Sequence, residues 1–99
     1  MEKNIALTVP ESIGELEMLD SLNLNSCNIK RLPESIGKLQ NLTYLRLSGN
    51  NLEIIPESIL SLKKLEHITF GIEQITVFEK DPTSKKILSE LRNKDITVW

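Results

Sequence analysis

The chain has 99 residues, with 12 Lys and Arg against 14 Asp and Glu, a formal net charge of -2 and one cysteine. A chain of this size buries about 60 to 65% of the surface its unfolded form exposes, enough for one modest core, which excludes a two-domain enzyme. Charges of both signs spread along the sequence leave no cationic stripe for nucleic acid, and a single thiol, Cys27, closes no intramolecular disulfide.

The opening MEKNIALTVPE has neither a basic n-region nor an apolar stretch of signal-peptide length. No apolar run approaches the roughly 18 residues of a membrane span, because Glu, Lys, Asn or Ser interrupts every Leu-rich stretch. A reducing, cytoplasmic location without membrane contact is therefore expected, and residues 4 to 9 either fold as an irregular cap over the edge of the first strand or leave that edge open.

Three segments, VPESIGELEML, LPESIGKLQNL and IPESILSLKKL, start at Val9, Leu32 and Ile55, an interval of 23 residues. In that register Leu16, Leu39 and Leu62 align, then Leu19, Leu42 and Leu65, then Leu22, Leu45 and Ile68, then Leu24, Leu47 and Phe70. Every aligned column is apolar. Self-similarity at such a period marks stacked units, none of which buries its apolar face alone, so that about three are needed for a continuous core.

The physics of one unit follows from its pattern. Alternation in Leu45-Arg46-Leu47 turns Leu45 and Leu47 to one side of a strand and Tyr44, Arg46 and Ser48 to the other. At Asn50 a short polar side chain satisfies backbone groups left open where the chain turns off the sheet. Pro33 and Pro56 set φ ahead of a short helical turn, and Ile36, Leu39 and Leu42 follow at threes, which buries one stripe of a helical or 3₁₀ segment.

The middle unit reads LxxLxLxxNxL through Leu42, Leu45, Leu47, Asn50 and Leu52, and on these residues the chain resembles the leucine-rich repeat family. The tail LPESIGKL, residues 32 to 39, is similar to the short 23-residue intracellular class often called the Ras-group type. The resemblance implies an α/β solenoid: a short curved horseshoe segment with a parallel sheet on the concave side and short helical or 3₁₀ turns on the convex side. It also implies a ladder at the Asn50 column, which here reads Cys27, Asn50, Glu73. Cys27 is a variant known in the family, whereas Glu73 departs from the pattern and points to an irregular last turn.

After Phe78 the period gives way to EKDPTSKKILSELRNKDITVW. Asp81 followed by Pro82 is an N-cap and first-turn signal, Ile87, Leu88 and Leu91 recur at helical spacing, and Asn93 is a stop, so a helix is expected over residues 83 to 93. Residues 95 to 99 alternate, with Ile96 and Val98 on one side, and are expected to form a fourth parallel strand. The chain thus reads as one domain over residues 1 to 99, with regular repeats over 9 to 78 and a C-terminal cap over 79 to 99. Counting back 23 from Leu22 and Leu24 lands at or before Met1, so the strand over residues 20 to 25 is expected to be an edge open to another strand. That edge allows self-association edge to edge, or continuation into a longer solenoid.

The outward strand positions are Ser21, Asn23, Asn25, Tyr44, Arg46, Ser48, His67, Thr69 and Gly71, with Asp95, Thr97 and Trp99 on the fourth strand. Strands about 4.8 Å apart set Tyr44 beside His67, and Arg46 between Asn23 and Thr69. Aromatic and Arg side chains on a rigid sheet are the types enriched at binding hot spots. The expected function is a non-catalytic signalling scaffold that binds a protein partner through Asn23, Asn25, Tyr44, Arg46, His67, Thr69, Thr97 and Trp99. No catalytic residue, cofactor, metal or nucleic acid is expected: His67 has no second His, the Ser of each PESIG tract has no positioned base, and the column position of Cys27 predicts a buried thiol. Trp99 is either the plug of the last turn or an exposed anchor at the rim. The alternative reading is a recognition or regulatory segment of a larger multidomain enzyme or signalling protein.

Overall fold

Each 23-residue unit makes one strand and one 3₁₀ turn. The computed structural model describes residues 9 to 99, so the cap that one reading sets over residues 4 to 9 lies outside the described residues except for Val9. Four strands, β1 (Ser21–Asn23), β2 (Tyr44–Arg46), β3 (His67–Thr69) and β4 (Thr97–Val98), form a parallel sheet in sequence order. Their register pairs Leu22 with Leu45, Leu45 with Ile68, and Ile68 with Val98. The strands expected over 20 to 25 and 95 to 99 are shorter, although single ladder bonds run past their ends, from Leu24 N–H to the Arg46 carbonyl at 2.8 Å and from Trp99 N–H to the Ile68 carbonyl at 3.0 Å.

The 3₁₀ turns occupy Glu11–Glu15, Glu34–Lys38 and Glu57–Ser61, each entered from a proline with φ between -68 and -73. Three residues per turn sets every third side chain inward. Ile36 N–H donates to the Pro33 carbonyl at 3.1 Å, Leu39 N–H to Ile36 at 3.2 Å and Leu42 N–H to Leu39 at 3.1 Å, and all three side chains are fully buried. Leu45 and Leu47 meet them from the strand, also fully buried, and each such Leu or Ile stabilises the fold by about 1.5 to 3 kcal/mol relative to exposure.

Successive 3₁₀ turns approach so closely that a side chain has no room between them. A Cβ on Gly37 would lie 2.7 Å from the Ser58 carbonyl oxygen, and one on Gly14 would lie 2.8 Å from that of Ser35. The Ser35 hydroxyl donates to the Glu11 carbonyl at 2.7 Å and ties the first turn to the second. In the third unit this column holds Leu60, half-buried against the core, and the helix over Pro82–Asn93 lies against the third turn where another repeat would stack.

Past β3 the last turn is irregular, as Glu73 in the ladder column suggests. Gly71, at φ 89 and ψ 149, adopts a backbone region that only glycine enters freely, and from it the chain starts helix α1 (Ile72–Phe78) in place of another post-strand turn. Glu73 therefore takes no place in the ladder and is exposed. Its neighbour Gln74 does that work: it is buried, its Oε1 accepts from Leu52 N–H at 3.0 Å, and its Nε2 donates to the Leu52 carbonyl. Phe78 packs edge-on against Phe70, with ring centroids 5.0 Å apart.

Helix α2 (Pro82–Asn93) begins as expected. The Asp81 carboxylate accepts from Ser84 N–H at 3.0 Å, with Pro82 in the first turn. Ser84, Ile87, Leu88 and Leu91 form its buried stripe, and the Ser84 hydroxyl accepts from Ile55 N–H at 3.3 Å. Asp95, at φ 63, reverses the chain into β4; it lies in this turn and not on the sheet face where alternation had set it.

Burial is lower at the other end of the stack. Leu16 is 51% exposed and Met18 85%, whereas Leu39 and Leu62, in the column of Leu16, are 0% and 4% exposed. Leu19, Leu22 and Leu24 are half-buried, and so is Cys27, which was expected to be fully buried. Among the described residues no further ring packs over this one.

Candidate functional site

Parity along the strands and parallel register between them arrange the outward side chains in rows. One row runs Ser21, Tyr44, His67, Thr97, and the next runs Asn23, Arg46, Thr69. Trp99 continues the second row: its N–H donates to the Ile68 carbonyl at 3.0 Å, while its own carbonyl accepts from Phe70 N–H at 2.7 Å and Gly71 N–H at 3.1 Å. These bonds bracket Thr69 and set Trp99 opposite it.

The centre of the face is a stacked array. The Tyr44 and His67 rings lie 5.1 Å apart at an interplanar angle of 26°, and the Arg46 guanidinium carbon sits 4.5 Å from the centroid of the Tyr44 ring. Tyr44 and Arg46 are two apart on one strand and so project to the same side, while Tyr44 and His67 are direct cross-strand neighbours. The cation–π contact contributes about 0.5 to 1 kcal/mol at an exposed site. It also restrains the Arg46 side chain against the Tyr44 ring.

The remaining site residues divide into those free to engage and those already committed. Asn23 Oδ1 accepts from Asn25 N–H at 3.0 Å, and Asn25 Oδ1 accepts from Ser48 N–H at 2.9 Å. Asn23 thus uses its acceptor within the turn after β1, and Asn25, beyond the strand on which it was expected, uses its acceptor to join that turn to the one after β2. The Thr69 hydroxyl is enclosed and has no hydrogen-bond partner among the described residues. Trp99 is 66% exposed and so is not the buried plug of the last turn.

Cys27 and Asn50 stay in the scaffold. Asn50 Oδ1 accepts from the N–H groups of Cys27 and Ile29, each at 2.9 Å, and its Nδ2 donates to the carbonyls of Leu24 at 2.8 Å and Leu47 at 2.9 Å. The Cys27 thiol donates to the Asn25 carbonyl at 3.4 Å. Among the described residues no three His, Cys, Asp or Glu side chains cluster as metal ligands, and no helix is long and apolar enough to cross a membrane.

No curated protein matches the chain. The family model described as Leucine-rich repeat region matches residues 2–95, nearly the whole sequence, in agreement with the parallel sheet and 3₁₀ turns, and the chain belongs to the leucine-rich repeat family.

Proposed function

We propose that the chain is a non-catalytic interaction module that docks a protein partner on its concave sheet face, in a cytoplasmic scaffold built from the short 23-residue repeat type. Leucine-rich repeat domains generally mediate protein–protein interaction. The observation that carries the reading is the Arg46–Tyr44–His67 stack, an aromatic and guanidinium array of the hot-spot type held on a rigid sheet. Affinity capture with the full chain and with Tyr44→Ala and Arg46→Ala variants tests it. The expected result is that specifically captured proteins are lost from both variants while their circular dichroism matches the parent. Unchanged capture by both variants refutes it.

The first ring, over which no further ring packs among the described residues, supports a second reading, in which this end takes another strand, either from a second copy edge to edge or as part of a longer recognition segment. Exposed Leu16 and Met18 favour it. Glu11, Glu15, Glu17 and Asp20, with no Lys or Arg in residues 9 to 29, oppose an identical end and make self-association weakest at low salt. Light scattering after size exclusion, across a tenfold concentration range at low and high salt, measures it. A monomer throughout removes the self-association branch.

A further inference from the structure

We infer that the segment bound on this face is an acidic peptide, which sets a carboxylate on Arg46 and an apolar side chain against Trp99. This rests on the reading of the sheet face as the docking surface. The first ground is charge. The chain has 14 acids against 12 bases, yet the outward positions of the four strands, from Ser21 to Thr97, carry a single charged side chain, that of Arg46. The nearest acids in sequence, Asp20 and Glu66, are exposed and precede β1 and β3 by one residue, outside the strands, and neither lies within ion-pair distance of Arg46. A net-negative protein thus presents its sheet face as locally cationic, which complements an anion.

The second ground is that the Arg46 charge is unspent. Among the described residues no carboxylate lies within the 4.0 Å of an ion pair, whereas Arg31 Nε on the turn side reaches Glu53 Oε1 at 3.5 Å. Packing on Tyr44 orients the guanidinium without using its N–H donors, and these match a carboxylate in a bidentate fork. A phosphate group is the weaker fit, since no second permanently charged cation stands on the outward strand positions to share a dianion.

The third ground is the row itself. Arg46 and Trp99 flank Thr69, two strand spacings apart, which is about 9.6 Å. An extended peptide advances about 3.3 Å per residue, so an acid and an apolar residue two to four positions apart span that distance. The indole is exposed, and its backbone is held by three hydrogen bonds to β3 and the residues after it, so it offers apolar area from a fixed position. Thr69 between them is small enough to leave a trough.

Selection from a library of random dodecapeptides displayed on phage, run in parallel on the full wild-type chain and on Arg46→Glu, tests the inference. Wild-type selections are expected to be enriched in Asp or Glu near an aromatic or aliphatic residue. Synthesised singly, such peptides should bind Arg46→Gln at least about tenfold more weakly and lose affinity as NaCl rises from about 0.05 to 0.5 M. Arg46→Glu, with circular dichroism matching the parent, should select Lys- or Arg-bearing peptides instead. Amide shift changes of the ¹⁵N-labelled chain with each peptide separate the two possible failures. Peptides without acidic enrichment that shift β2 to β4 overturn the acidic partner and leave the docking face intact. Peptides that shift only other surfaces, or a library that yields no binder, overturn both.

Discussion

Asn50→Ala removes one small side chain and disconnects four backbone groups. Its amide accepts from Cys27 and Ile29 N–H and donates to the Leu24 and Leu47 carbonyls, all between 2.8 and 2.9 Å, and Asn50 is only 8% exposed. A net hydrogen bond is worth about 0.5 to 1.5 kcal/mol, and a buried group left unpaired costs about 1 to 3 kcal/mol. Water can reach the half-buried Cys27 side of the turn and replace part of the loss, but Ile29 and Leu47 are fully buried. The expected destabilisation is therefore about 3 kcal/mol, a large share of the roughly 5 to 15 kcal/mol that holds a domain folded. With a urea slope of about 1.5 kcal/mol/M, the unfolding midpoint followed by far-ultraviolet circular dichroism should fall by about 2 M. Asn51→Ala is the control, since exposed Asn51 makes one side-chain bond, to Asn28 Oδ1 at 3.2 Å, and its loss should stay within about 0.5 kcal/mol. Asn50→Asp keeps the acceptors but turns a carboxylate oxygen toward two carbonyls, and should rescue little. A cost for Asn50→Ala below about 1 kcal/mol, or equal to that of Asn51→Ala, would refute the ladder as the element joining the units.

Two further perturbations probe the two sides of the stack by the same denaturation assay. Gly37→Ala forces a methyl to within 2.7 Å of the Ser58 carbonyl oxygen and should cost about 1 to 3 kcal/mol, whereas an unchanged midpoint would mean that the turns are not in close contact. Gln74→Leu strands the N–H and C=O of Leu52, which is 1% exposed, and should cost about 2 to 3 kcal/mol while Glu73→Ala stays within about 0.5 kcal/mol. The reverse ranking would return the ladder role to Glu73.

What the sequence discloses and what it hides divide along a physical line. Columns such as Leu16, Leu39 and Leu62 are legible because the period repeats side-chain chemistry, and a parallel register offset by 23 then follows for Tyr44 and His67 without any structure. The Asp81–Pro82 start of α2 is legible because an N-cap is local chemistry. At the end of the third unit Glu73 in the ladder column signals an irregular turn, but not its form, since the decisive event is a backbone one, the positive φ at Gly71. A glycine just past β3 followed by apolar Ile75 and Phe78 at helical spacing was the available signal. In the site, period and parity find the rows, but they do not show that the Asn23 and Asn25 oxygens are taken up by the turn or that the Thr69 hydroxyl is enclosed. Those depend on rotamers and on neighbours across strands, which no spacing encodes.

The same division separates stability from binding in this fold. Inward columns carry the apolar contacts and the Asn50 and Gln74 bonds, and each is coupled to the unit beside it, so substitutions there propagate along the stack. Outward rows have fewer such obligations: the Arg46 guanidinium contacts the Tyr44 ring, the Tyr44 ring contacts His67, and both contacts lie on top of a sheet already held by its ladder. Substituting Arg46 therefore removes about 0.5 to 1 kcal/mol of surface stacking, and substituting Tyr44, which makes both contacts, about 1 to 2.5 kcal/mol, with the core untouched. On the proposed docking reading, that asymmetry makes a loss of binding at these positions interpretable as loss of contact and not loss of fold.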